Sequence, residues 1–164
     1  MNHFIEKLKS LSSERNDETN YDDIESLKRI NCSKIPFTSI PNLISINLLV
    51  LNCSHCFLDA LPILNPCLKK LYCQHNNLSE LPQLGRLICL EKLCCQNNKI
   101  THFSDDIVGL QALESIDIRN NNFTVFPTEI RELKSLSCLH CQNSCGKNNR
   151  QLSQFLKKLN MTWH

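Results

Sequence analysis

Apolar side chains return along this chain in a fixed phrase. A leucine is followed by two variable residues, an aliphatic residue, one variable residue and a cysteine or isoleucine. Two more variable residues then lead to an asparagine, and one further on lies a last apolar residue. The clearest copy is Leu68, Leu71, Cys73, Asn76 and Leu78, continuing to Leu81-Pro82. The next is Leu90, Leu93, Cys95, Asn98 and Ile100, ending at Phe103; then come Leu113, Ile116, Ile118, Asn121 and Phe123, ending at Phe126-Pro127. Upstream, Leu48, Leu51, Cys53, Cys56 and Leu58 hold the same spacing, continuing to Leu61-Pro62. The first copy begins at Leu27 with Ile30, Cys32 and Phe37, and the last at Leu136 with Leu139 and Cys141. The starts at 27, 48, 68, 90, 113 and 136 are separated by 21, 20, 22, 23 and 23 residues.

This spacing has a direct physical reading. Positions one, four, six, nine and eleven are apolar or asparagine and turn inward. Positions three to seven are expected to form a short parallel strand whose alternate residues point to opposite faces. One repeat cannot bury its own apolar side, so stability must come from stacking neighbours. The asparagine at position nine (Asn76, Asn98, Asn121) is expected to satisfy buried backbone groups where the strand bends away, because its amide both donates and accepts. Repeats this short leave room only for extended or 3₁₀ return segments, with helical pieces in the longer copies.

The phrase resembles the leucine-rich repeat, L-x-x-L-x-L-x-x-N-x-L, over about residues 27–145. The continuation Phe126-Pro127-x-x-Ile130-x-x-Leu133 is similar to the ending of cytosolic leucine-rich repeats, found in Ras-pathway scaffolds and in bacterial and viral effectors. The asparagine, isoleucine, lysine and cysteine usage resembles that of leucine-rich-repeat proteins of AT-rich genomes, including large DNA viruses of amoebae. The resemblance implies an α/β repeat solenoid, a short curved horseshoe with a parallel concave sheet and helical end caps. Ile35 and Cys56 stand in place of the repeat asparagine in the first two copies and Ser144 in the last, and Gly146 occupies an apolar position. The terminal repeats are thus degenerate, as where a solenoid is closed.

The expected organisation is a helical cap and acidic loop over 1–26, six repeats over 27–146 and a C-terminal helical cap over 147–164. Phe4, Leu8 and Leu11 share one helix face, as do Leu152, Phe155, Leu156 and Leu159. Hydrophobic residues make up 41% of the chain, which excludes wholesale disorder. A net charge of +2 is too mild to suggest nucleic acid or an anionic membrane. No signal peptide or membrane-spanning run is legible. A cytoplasmic, reducing setting is therefore expected, the host cytoplasm if the protein is viral.

Eleven cysteines suggest a disulfide scaffold until their positions are read. Five of the six repeats put cysteine at inward position six: Cys32, Cys53, Cys73, Cys95 and Cys141. Equivalent side chains on adjacent parallel strands lie about 4.8 Å apart and point the same way, a poor geometry for a disulfide. Free thiols acting as small hydrophobes are expected. Cys138, His140, Cys141 and Cys145 crowd the last repeat, but the strand alternation sends Cys141 inward, so no metal or other cofactor is expected. Cys94, Asp117 and His140 share position five, yet two strand spacings, about 9.6 Å, separate thiol from imidazole. Catalysis is not expected.

Function is then expected on the outward positions of the strands, the concave face that solenoids use for binding. Candidate partner-binding residues on the first three rows are Lys28, Arg29, Asn31, Asn52, His55, Lys69, Tyr72, Gln74 and His75. The later rows add Gln96, Asn97, Asp117, Arg119, His140 and Gln142. Tyr72, flanked by His55 and His75, is the expected anchor. The expected role is a non-catalytic monomer that binds a protein or peptide, with no nucleic acid and no membrane involved. Two alternatives are the substrate-recognition part of a ubiquitin-ligase-type effector, as the resemblance implies, and a metal- or redox-responsive module using the last-repeat cysteines. The chain ends about twenty residues after the last repeat, so an appended ligase domain is not expected.

Overall fold

The computed structural model describes residues 1–12, 20–23, 26–81, 84–124 and 128–144. Helix α1 (Asn2–Ser12) is followed by six strands: β1 (Arg29–Asn31), β2 (Val50–Asn52), β3 (Lys70–Tyr72), β4 (Lys92–Cys94), β5 (Ser115–Asp117) and β6 (Cys138–His140). They form one parallel sheet in the order β1-β2-β3-β4-β5-β6. Every strand occupies positions three to five of its repeat, so Ile30, Leu51, Leu71, Leu93, Ile116 and Leu139 pair in one register. The result is a curved leucine-rich-repeat solenoid.

The strands cover positions three to five of the expected three to seven, while backbone pairing between repeats runs further. Cross-repeat hydrogen bonds continue through position eight, as in His55 N–H to the Gln74 carbonyl (3.0 Å) and Asn97 N–H to the Arg119 carbonyl (2.9 Å). At that point the chain leaves extended geometry. Lys34, His55, His75, Asn97, Asn120 and Asn143 all have φ between 52° and 61°. This left-handed region disfavours most side chains but tolerates asparagine and histidine better than the rest. The turn is made without glycine, which explains the asparagines of position eight on backbone grounds.

The inward positions form one core. Leucine or isoleucine at positions one and four is buried in all six repeats, and so are Cys32, Cys53, Cys73, Cys95, Ile118 and Cys141 at position six. Three of these thiols face the position-five carbonyl of the next repeat: Cys32 to Asn52, Cys73 to Cys94 and Cys95 to Asp117, at 3.3–3.4 Å. On α1, Phe4, Ile5 and Leu8 are buried, and the Phe4 ring lies 5.0 Å from that of Phe37. This covers the first-repeat end of the core. The C-terminal segment read as a second cap lies outside the described residues.

At position nine the asparagines form a ladder between turns. The Asn76 amide oxygen accepts from Cys56 N–H (3.1 Å) and Leu58 N–H (2.9 Å), while its NH₂ donates to the carbonyls of Cys53 and Cys73. Asn98 and Asn121 repeat the two donations one and two turns later and each accept one N–H, from Leu78 and Ile100. In repeat two, Cys56 substitutes for the amide donor, its thiol reaching the Cys32 carbonyl at 2.9 Å. In the last repeat, the Ser144 hydroxyl donates to the Cys141 carbonyl. Cys56 and Ser144 thus keep a donor at this position, whereas Ile35 in the first repeat supplies only an apolar side chain.

The return segments carry 3₁₀ turns at Leu84–Arg86, Asp105–Gly109 and Thr128–Glu132, in the three longer copies. Gly85 and Gly109 lie where two of these turns touch. A Cβ on Gly85 would come within 2.0 Å of the Asp106 carbonyl oxygen.

The thiols divide sharply by exposure. Burial pushes Cys53, Cys73 and Cys95 well above the ordinary thiol range, whereas Cys67 is exposed. A short pulse of iodoacetamide on the native protein, read by peptide mass spectrometry, should label Cys67 and spare the position-six column until the chain is unfolded. Labelling of Cys73 at the rate of Cys67 would contradict this burial.

The concave sheet face as candidate functional site

Outward residues of the six strands line up in columns because the strands are in register. Position three reads Arg29, Val50, Lys70, Lys92, Ser115 and Cys138, and position five reads Asn31, Asn52, Tyr72, Cys94, Asp117 and His140. All candidate residues read from the sequence lie on these rows or their flanking positions. They differ in how free they are to meet a partner.

Several are held by their neighbours within the chain. The Asn31 and Asn52 amide oxygens each accept from the backbone and hydroxyl of the serine two residues on, Ser33 and Ser54. Asp117 is buried, and its carboxylate accepts from the Arg119 guanidinium at 2.6–3.2 Å. That hydrogen bond pushes the Arg119 pKa up. Lys69 pairs with Glu91 at 2.8 Å, which raises the lysine pKa. Asp117 is thus a structural anchor for Arg119, a role its sequence position alone does not reveal.

Position eight forms a second ladder along the edge of the face. Asn143 donates to Asn120 (3.2 Å) and Asn120 to Asn97 (2.9 Å). The Asn97 NH₂ faces His75 Nε2 at 3.2 Å, and the His75 ring stacks on His55 with centroids 4.1 Å apart. If Asn97 donates, His75 Nε2 must accept, which requires the neutral ring protonated at Nδ1. Partial burial, then the nearby His55, lower the His75 pKa accordingly.

The centre of the face is Tyr72, half-buried, with Lys92 Nζ 5.8 Å from its ring centroid. Beside it, Gln74 on the same row and Gln96 on the next have side-chain oxygens that are shielded from solvent and without a hydrogen-bond partner among the described residues. Lys28, Arg29 and Lys70 are exposed. Gln142 and His140 lie on the last row, where the Cys138 thiol sits 3.2 Å from His140 Nε2. That thiol–imidazole contact was legible only as a shared face, since positions three and five of one strand point the same way.

Among the described residues no three histidine, cysteine, aspartate or glutamate side chains converge as metal ligands. Cys145, part of the last-repeat cluster, lies outside them. Burial raises the Cys94 pKa, with Lys92 opposing. Asp117, between Cys94 and His140 in the column, is committed to Arg119. No helix among the described residues is long and apolar enough to cross a membrane.

An in-register parallel sheet, an inward asparagine ladder and a concave face of aligned outward side chains define a repeat solenoid scaffold. The chain is a leucine-rich-repeat protein, and its structural relatives say the same. It is similar to a leucine-rich-repeat protein of Leptospira interrogans, with TM-score 0.65 and 28% identity over 74% of this chain and 32% of that one. A Shigella effector leucine-rich-repeat domain matches with TM-score 0.59 and 25% identity, over 84% of this chain and 54% of that one. The functional domain of InlJ from Listeria monocytogenes, which includes a cysteine ladder, matches with TM-score 0.61 and 28% identity, over 71% and 25%. The chain thus spans from a quarter to about half of the length of these structures. No family model and no curated protein matches the sequence. Its fold is that of a protein-interaction repeat scaffold.

Proposed function

We propose that the chain is a non-catalytic adaptor that binds a protein or peptide through its concave face, acting as a monomer in the cytoplasm. The observation that carries this reading is the continuous row of outward positions on six in-register strands, centred on Tyr72. Two features of the centre support it. Tyrosine offers a large, rigid and amphipathic contact. The shielded Gln74 and Gln96 oxygens lack donors among the described residues, and a small rotation of either amide would let it accept from a docked backbone. A buried acceptor left unpaired costs about 1–3 kcal/mol, so pairing on docking would favour the complex.

Affinity capture from a cell lysate tests the reading, comparing the unaltered chain with a Tyr72→Ala/His75→Ala variant. A specific protein should be retained by the first and lost by the second, with the variant still folded by circular dichroism. Identical captures from both would remove the concave face from consideration. A second reading, recognition part of a larger effector, is favoured by the likeness to the Shigella effector domain.

A further inference from the structure

We propose that the first rows of the concave face dock an acidic segment of the partner, one whose carboxylates flank an apolar side chain. This rests on the concave-face reading and gives it a partner chemistry. The cations are unevenly spread. Lys28, Arg29, Lys34 and Lys70 are exposed, and none of them pairs with a carboxylate among the described residues, where Lys9, Lys69 and Arg119 do. On these three rows positions two, three, five, seven and eight carry no acid at all.

Between the cations lies an apolar rung. Register places Arg29 beside Val50 and Val50 beside Lys70, and Leu49 and Val50 are both half-buried. Arg29 and Lys70 are thus two strand spacings apart, about 9.6 Å. An extended segment turns every second side chain to one side, so acids at i and i+4, about 13 Å apart, reach the two long cations with residue i+2 between them. Carboxylates at that separation can meet both cations while an intervening apolar side chain rests on Leu49 and Val50. Tyr72 and Lys92 extend the same surface by one row.

The remaining rows set direction. Glu91 neutralises Lys69, Glu114 is exposed on row five, and Arg119 is neutralised by Asp117. An acidic segment is attracted to the first rows and repelled from the fifth, so it would lie with its carboxylates over Arg29 and Lys70. Nucleic acid fits less well. Its bases would find one aromatic, Tyr72, on the face, and a phosphate chain gains nothing from the Leu49–Val50 rung.

Fluorescence anisotropy of the full chain tests this with three labelled probes. One is a peptide of about twelve residues with glutamates flanking leucines, the second replaces each glutamate with glutamine, and the third is oligothymidylate of similar extended length. The acidic peptide should bind, weaken as salt is raised, and lose about tenfold or more in affinity against Arg29→Glu/Lys70→Glu, while Glu114→Gln, which removes a repelling charge, does not weaken it. The glutamine peptide should bind about tenfold more weakly. Should the charge-reversed variant melt early, Arg29→Gln/Lys70→Gln serves in its place. Equal binding of both peptides, indifference to both Arg29/Lys70 variants, or tighter binding of oligothymidylate would overturn the proposal. If the acidic peptide fails while the lysate partner is still lost in Tyr72→Ala/His75→Ala, the acidic class falls and the concave-face reading stands. If it binds yet ignores Arg29, Lys70 and Tyr72 alike, both fall.

Discussion

Replacing Asn98 with leucine is expected to destabilise the chain by about 3 kcal/mol, although leucine has the same number and branching of side-chain heavy atoms and the site is buried. The Asn98 oxygen accepts the Leu78 N–H at 3.0 Å, and its NH₂ donates to the carbonyls of Cys73 and Cys95, both at 3.0 Å. The two carbonyls retain a second donor each, from Asn76 and Asn121. The Leu78 N–H has no such reserve among the described contacts, so it supplies most of the loss. Asn98→Asp separates the parts of the effect. It keeps an acceptor for Leu78 but turns a carboxylate toward two carbonyl oxygens, and should also destabilise. Urea denaturation followed by circular dichroism reads both. A loss under about 1 kcal/mol for Asn98→Leu would mean that water or a local shift replaces the amide.

Gly85→Ala should cost about 2–3 kcal/mol, a large effect for one methyl group near the surface. The cause is space: neither Gly85 nor Gly109 has a positive φ. An added Cβ at Gly85 would lie 2.0 Å from the Asp106 carbonyl oxygen and 2.8 Å from its carbon, and one at Gly109 would lie 2.5 Å from the Gly85 oxygen. Backbone cannot yield as a side-chain tip can, so the turns at Leu84–Arg86 and Asp105–Gly109 would have to separate. Gly109→Ala should cost less, in the order of the two distances. Thermal melts of the two variants check this; a Gly85→Ala protein as stable as the original would show that the turns part freely.

The chain's period was enough to identify the inward residues. Leu71, Cys73 and Asn76 are buried because they recur at fixed places in a 20–23-residue unit that cannot bury itself. The same argument assigned the position-six cysteines to the core and the position-nine amides to the backbone. It did not reach Ile5, buried one residue along from Phe4, because the helix face there is broader than the i, i+4 and i+7 set. Nor did it reach the backbone constraint on the candidate residues His55, His75 and Asn97, which sit at a left-handed turn that favours residues tolerating it.

Outward positions were legible as a face but not as a set of contacts. Repeat spacing says that Asp117 and Arg119 point the same way; only the fold shows that they bond to each other. The same holds for Lys69 with Glu91, His55 with His75 and Lys92 with Tyr72, pairs formed across 20 or more residues. The sequence by itself determined the solenoid, its core and its parallel sheet, because burial follows periodicity. Tertiary structure alone decided which surface charges are spent within the chain and which stay open, because strand register and rotamers set those meetings, and neither has a period that a sequence can display.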